Sequence, residues 1–87
     1  MKADHEKVKS LLKTARGQID GLLKMVDDDR YCMDVSHQLL AVQAILRKAD
    51  REVVKAHLQN CVREAFAEGQ EEEKINEILT LVEKLTK

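Results

Sequence analysis

The sequence predicts an all-α fold of three helices, and three observations carry that expectation. The chain has no proline and no tryptophan, with one tyrosine, Tyr31, and one phenylalanine, Phe66. A β-sandwich or barrel draws on aromatics and turn residues that are missing here. Charged residues make up 36% and hydrophobic ones, mostly aliphatic, 44%, the mix of long helices. The apolar positions then recur at helical spacing almost throughout. With 87 residues there is room for one small domain and no second.

The first helix is expected over residues 5–27. Val8, Leu11, Leu12, Ala15, Ile19, Leu22, Leu23 and Val26 advance in steps of three and four, the pattern of one buried face. Gly17 and Gly21 interrupt it at about 1 kcal/mol each, a cost that ordinarily marks close packing. Asp27, Asp28 and Asp29 close the segment as a polar connection. The second helix is expected over 31–67, with Val35, Leu39, Val42, Leu46, Ala49 and Val53 as its stripe and no breaker before Gly69. At 1.5 Å per residue it reaches roughly 50 Å. The acidic run from Glu68 through Glu73 reads as a solvated link. A third helix over 73–86 follows, carrying Ile75, Ile78, Leu79, Val82 and Leu85. Two shorter helices cannot cover a stripe of that length, and the chain is short for a self-sufficient core. An obligate oligomer is therefore expected.

No apolar run reaches the roughly 18 residues of a membrane span, and no signal peptide is evident. Two cysteines make no disulfide framework, so a reducing cytoplasm is the default location. Cys32 and Cys61 lie 29 positions apart on the expected second helix. That is about 43 Å, against a Cα limit of about 7 Å for a disulfide. They can meet between chains. Two such helices paired antiparallel about the Leu46–Arg47 midpoint bring Cys32 of one protomer beside Cys61 of the other, creating two identical sites per dimer. His57 lies one turn before Cys61 and shares its face. Two thiolates and one imidazole suit Cu(I) in a trigonal site, whereas zinc seeks a fourth ligand. Buried cysteines are also ordinarily small hydrophobes, and that reading stays open from spacing alone. No Gly-rich loop and no nucleophile–base–carboxylate set points to an enzyme.

The formal net charge of −1 argues at first against nucleic acid. It conceals a segregation: +3 over residues 1–25, −3 over 26–34, +3 over 35–63 and −4 over 64–87. Lys13, Arg16, Arg47, Lys48 and Arg51 are the residues most available for a phosphate-facing patch, repeated in each copy of an oligomer. Such side chains are also commonly just the solvated face of a helix, and no established DNA-binding motif is present.

The stretches ARGQIDGLLKMV, RYCMDV, QLLAVQAIL and HLQNCV together resemble the copper-sensitive operon repressor family, the CsoR/RcnR group of bacterial repressors. The resemblance covers roughly residues 5–85. It implies an all-α antiparallel helical-bundle dimer assembling into a flat homotetramer. It implies an effector site of Cys32 from one protomer with His57 and Cys61 from another, and Cu(I) as effector. Within such a family, Tyr31 and Glu77 fall where copper sensors keep an outer pair around the histidine. Nickel and cobalt sensors use a further N-terminal histidine, for which His5 stands too near Cys32. Formaldehyde sensors lack the second cysteine, and persulfide sensors typically lose the histidine. The resemblance further implies operator double-stranded DNA as partner, with Arg16 at a matching basic position. Lys48 stands where arginine is expected, keeping charge without the bidentate fork. The alternatives are a persulfide-responsive repressor using Cys32 and Cys61, and a copper-buffering scaffold that binds no DNA.

Overall fold

The computed structural model describes residues 1–69 and 71–85, with the backbone alone at 71 and 85. Among the described residues there are three helices and no strand: α1 (His5–Asp27), α2 (Cys32–Glu68) and α3 (Glu71–Leu85). Thr86, the last residue of the expected third helix, lies outside the described residues. The acidic run differs from its reading as a link, because α3 already includes Glu71 to Glu73. Carboxylates in a first helical turn face the unpaired N–H groups and the positive end of the helix dipole, which favours helix there. No helix among the described residues is long and apolar enough to cross a membrane.

The chain divides into two compact units, one of Asp4–Glu52 and one of Met1–Ala3 with Val53–Lys87. In the Asp4–Glu52 unit, Asp4 caps α1: its carboxylate accepts from the backbone N–H of Glu6 at 3.0 Å and of Lys7 at 3.3 Å. The helix stops in a Schellman arrangement. The N–H of Arg30 donates to the Met25 carbonyl at 3.0 Å and that of Asp29 to Val26 at 3.1 Å. This closure places Asp29 at φ 52°, the left-handed region. A short side chain that can bond locally is tolerated there better than a bulky one. The polar triplet thus acts through its backbone geometry as much as through its charge.

The core of this unit is Ala15, Leu22 and Val42, with Met25, Val35 and Ile45 packed against it. Lys7 Nζ meets Glu52 at 3.1 Å, joining the first turn of α1 to α2. Gln18 Oε1 is buried with no hydrogen-bond partner among the described residues. Leu22 is 7% exposed, so Leu22→Ala removes a buried side chain and leaves a cavity. It should destabilise the protein by about 2–4 kcal/mol in urea denaturation followed by circular dichroism. Gly17 and Gly21 meet nothing: an added Cβ at either finds no atom within 4 Å. The close packing expected at these glycines is not found among the described residues. Leu12, Ile19, Leu23, Leu40 and Leu46 of this unit also stand among the exposed large apolar residues.

In the unit of Met1–Ala3 and Val53–Lys87, α2 ends at Gly69, whose φ of 71° is open to glycine without strain. Cys61 and Ala65 are its buried α2 residues. Phe66, Ile75 and Leu79 are exposed. Single exposed apolar residues are ordinary, but runs of them on helices mark surfaces that association would cover.

Candidate metal centre

The α2–α3 pair of the Val53–Lys87 unit builds the one cluster of candidate metal ligands found among the described residues: His57, Cys61 and Glu77. The i, i+4 spacing of His57 and Cys61 on α2 stacks them on one face. Cys61 is a free thiol, 4% exposed, and its Sγ lies 3.3 Å from His57 Nε2. Glu77 projects from α3, and its Oε1 stands 2.9 Å from the same Nε2. That oxygen is also 3.9 Å from Cys61 Sγ. Each residue can offer one donor atom such that all three lie within 4.8 Å of one another. Sulfur, nitrogen and oxygen donors converge here from two helices.

Charge around the cluster is ordered by one further residue. Lys74 Nζ lies 3.5 Å from Glu77 Oε2, an i, i+3 pair along α3. The hydrogen bond from His57 holds the Glu77 carboxyl below its ordinary value against a smaller opposing effect of desolvation, with Lys74 adding its attraction. Lys74 is raised in turn, first by Glu77 and then by Cys61. The sign of the linkage follows: a depressed carboxyl contributes stability above its unfolded value and loses it as pH falls through the folded one. In a 13C-carboxyl NMR titration, the Glu77 midpoint should therefore lie below that of an ordinary glutamate. In His57→Ala it should move upward.

Tyr31 and Cys32 belong to the Asp4–Glu52 unit. Tyr31 is 68% exposed, and its carbonyl accepts from the N–H of Asp34 and Val35 at the start of α2. Cys32 is an exposed free thiol lining an open apolar depression with Val26, Val35 and Leu39. His37, one and a half turns on, is exposed. The basic residues Lys13, Arg16, Arg47, Lys48 and Arg51 are all exposed on the helices of the same unit. Among the described residues none of the five takes part in an ion pair.

Comparison with known families settles what kind of chain this is. Residues 4–84 match the family model described as metal-sensitive transcriptional repressor. The chain belongs to that family. A copper-sensing transcriptional repressor CsoR of Mycobacterium ulcerans (strain Agy99) is 42% identical over 71 residues, which is 82% of this chain and 61% of that protein. The chain thus spans about three fifths of that relative's length. Among solved structures, the nickel-responsive transcriptional regulator InrS superposes with a TM-score of 0.85 at 27% identity, covering 98% of this chain and 96% of that one. The copper-sensing repressor CsoR with Cu(I) from Geobacillus thermodenitrificans NG80-2 gives 0.81 at 35% identity, covering 94% and 85%.

Lys74 is the neighbour of the cluster that the sequence does not point to. It stands in a stretch of net charge −4 and looks like one more solvated residue. The signal that could have found it is its i, i+3 spacing from Glu77 on a helix.

Proposed function

We propose that the chain is a Cu(I)-responsive transcriptional repressor. Its effector-free form binds operator DNA, and Cu(I) bound by Cys32 of one protomer with His57 and Cys61 of another releases it. The observation that carries this reading is the buried Cys61 thiol beside the His57 ring, with that ring already bonded to Glu77. A soft thiolate and an imidazole at contact distance fit Cu(I), and a partner's Cys32 completes a trigonal set. Cys32, His57 and Cys61 would hold Cu(I), which would supply a soft acceptor for thiolate and imidazole donors. The chain's own groups do the rest. Glu77 accepts from His57 Nε2, the nitrogen that also faces Cys61 Sγ, so the Nδ1 left for the metal reaches the thiolate only when the ring turns about its bond to Cβ. Tyr31, at the start of α2, supplies a hydroxyl to this network from the partner.

The apolar residues left exposed on α1 and α2 support association between chains, and the resemblance implies an antiparallel dimer and a flat tetramer of two such dimers. The chain acts as a single domain in this assembly, in the cytoplasm and without enzymatic activity. Arg16 and Lys48, with Lys13, Arg47 and Arg51, hold DNA phosphates; each is exposed and, among the described residues, outside any ion pair. Linkage requires that DNA weaken Cu(I) binding by the same factor by which Cu(I) weakens DNA binding.

The test is an anisotropy titration of DNA from upstream of the protein's own gene, without oxygen. The copper-free protein should bind with a steep salt dependence. Stoichiometric Cu(I) should weaken binding by about 5–150-fold, the range of ordinary allosteric coupling. Arg16→Ala should weaken binding uniformly and flatten the salt slope by about 1 for each phosphate left without its cation. Absence of a salt-sensitive complex favours the copper-buffering scaffold. Full copper release in His57→Ala sinks the copper mechanism, and a surviving persulfide response in that variant favours the thiol-stress reading.

A further inference from the structure

We propose that Lys74 is a specificity-determining residue of the metal site, which keeps Glu77 as the acceptor for His57 and withholds it from divalent ions as a ligand. The inference rests on the copper reading above and concerns what that site rejects. Both oxygens of Glu77 are engaged within the chain. Oε1 meets His57 Nε2 at 2.9 Å and Oε2 meets Lys74 Nζ at 3.5 Å. Glu77 nevertheless stands close enough to His57 and Cys61 to serve as a third ligand of the same protomer.

The identity of the preferred metal turns on that oxygen. Without it, the site offers two sulfurs and one nitrogen, a soft trigonal set. With it, the site becomes four-coordinate and includes a hard carboxylate, which suits zinc and other borderline divalent ions. An ammonium on the second oxygen acts against that conversion in two ways. It competes for the carboxylate, and it repels a dication twice as strongly as it repels Cu(I), since Coulomb energy scales with charge. Lys74 is held for this task. Its side chain is 25% exposed, and it lines a small apolar slot of about 70 Å³ with Val62, Ala65, Phe66, Ile75 and Ile78. The stem packs against apolar surface while the charged head reaches the carboxylate.

The test compares Co(II) and Cu(I) affinities in the wild-type protein, Lys74→Met, Lys74→Gln, Lys74→Arg and the double variant Lys74→Met/Glu77→Gln. Co(II) is the probe because its visible absorption bands report coordination number. Helical circular dichroism first verifies that each variant folds. Lys74→Met and Lys74→Gln should each raise the ratio of Co(II) to Cu(I) affinity about tenfold, with the stronger bands of a four-coordinate ion. Lys74→Arg should keep the ratio within about threefold of wild type, because charge is retained. Adding Glu77→Gln to Lys74→Met should erase the gain. A purely structural role for Lys74 would not favour one metal over the other. An unchanged ratio in both uncharged variants overturns the inference alone, as does a gain that persists in the double variant. A wild-type protein that binds no Cu(I) through sulfur overturns the copper reading itself, and this inference with it.

Discussion

Cys61→Ser should lower Cu(I) affinity by more than about 100-fold and abolish copper-triggered DNA release. That exceeds the roughly 10–100-fold loss typical when an outer partner of a ligand is removed. The reason lies in the site's chemistry. Serine has nearly the volume of cysteine and fits the same buried position, 4% exposed, so packing is preserved. Its hydroxyl can still bond the His57 ring, which stands 3.3 Å from the sulfur. What disappears is the soft thiolate, and an alcohol oxygen is a poor substitute for Cu(I). Glu77→Gln is the matched comparison. It removes a charge-assisted partner of His57 and leaves every proposed ligand in place. It should fall inside the roughly 10–100-fold range and, because the ring loses its orienting acceptor, weaken DNA release more than Cu(I) binding. Competition against a Cu(I)-specific chromophoric chelator reads both variants. A Cys61→Ser protein within about tenfold of wild type would remove Cys61 from the ligand set.

The helices are legible in the sequence because apolar periodicity and the lack of breakers leave few alternatives. The stripe from Val35 to Val53 and the glycine at 69 delimit α2 almost to the residue. The start of α3 is less legible. A run of acidic residues reads as solvated link or as a first helical turn, and only the backbone groups awaiting partners decide between them. The glycines mislead for a different reason. Their helix cost implies a close neighbour, yet 17 and 21 face open space, so nothing among the described residues accounts for them. The site divides in the same way. Spacing alone puts His57 and Cys61 on one face. The hydrogen bond that joins His57 to Glu77 spans 20 positions and depends on how α2 and α3 pack, which no local pattern encodes. Lys74 is hidden by its acidic neighbours, because net charge over a stretch does not show which cation pairs with Glu77.

Mixing two inactive variants should restore copper binding, and the amount restored distinguishes the possible architectures. Cys32→Ala and Cys61→Ala each break every site when present alone. In an antiparallel dimer with sites shared between protomers, a mixed pair is different. The Cys61→Ala protomer supplies an intact Cys32 at one end, and the Cys32→Ala protomer supplies His57 and Cys61 opposite it. That end is complete, and the other end lacks both thiols. Two-fold symmetry makes the two ends equivalent in the parent dimers and inequivalent in the mixed one. Random assembly after equal co-expression yields mixed pairs in about half of the dimers, so about one quarter of wild-type sites should be complete. The fraction is the same whether or not dimers pair further, because each site involves two chains. A site confined to one protomer gives zero, since every chain in the mixture has lost one of its own cysteines. The measurement is sulfur-bound Cu(I) per chain, by X-ray absorption and metal analysis of the co-expressed protein. A first shell of two sulfurs and one nitrogen in the restored fraction, against none in either parent, is the expected result. Capacity no greater than in the parents would refute the shared antiparallel site while leaving His57, Cys61 and Glu77 as a cluster within one chain.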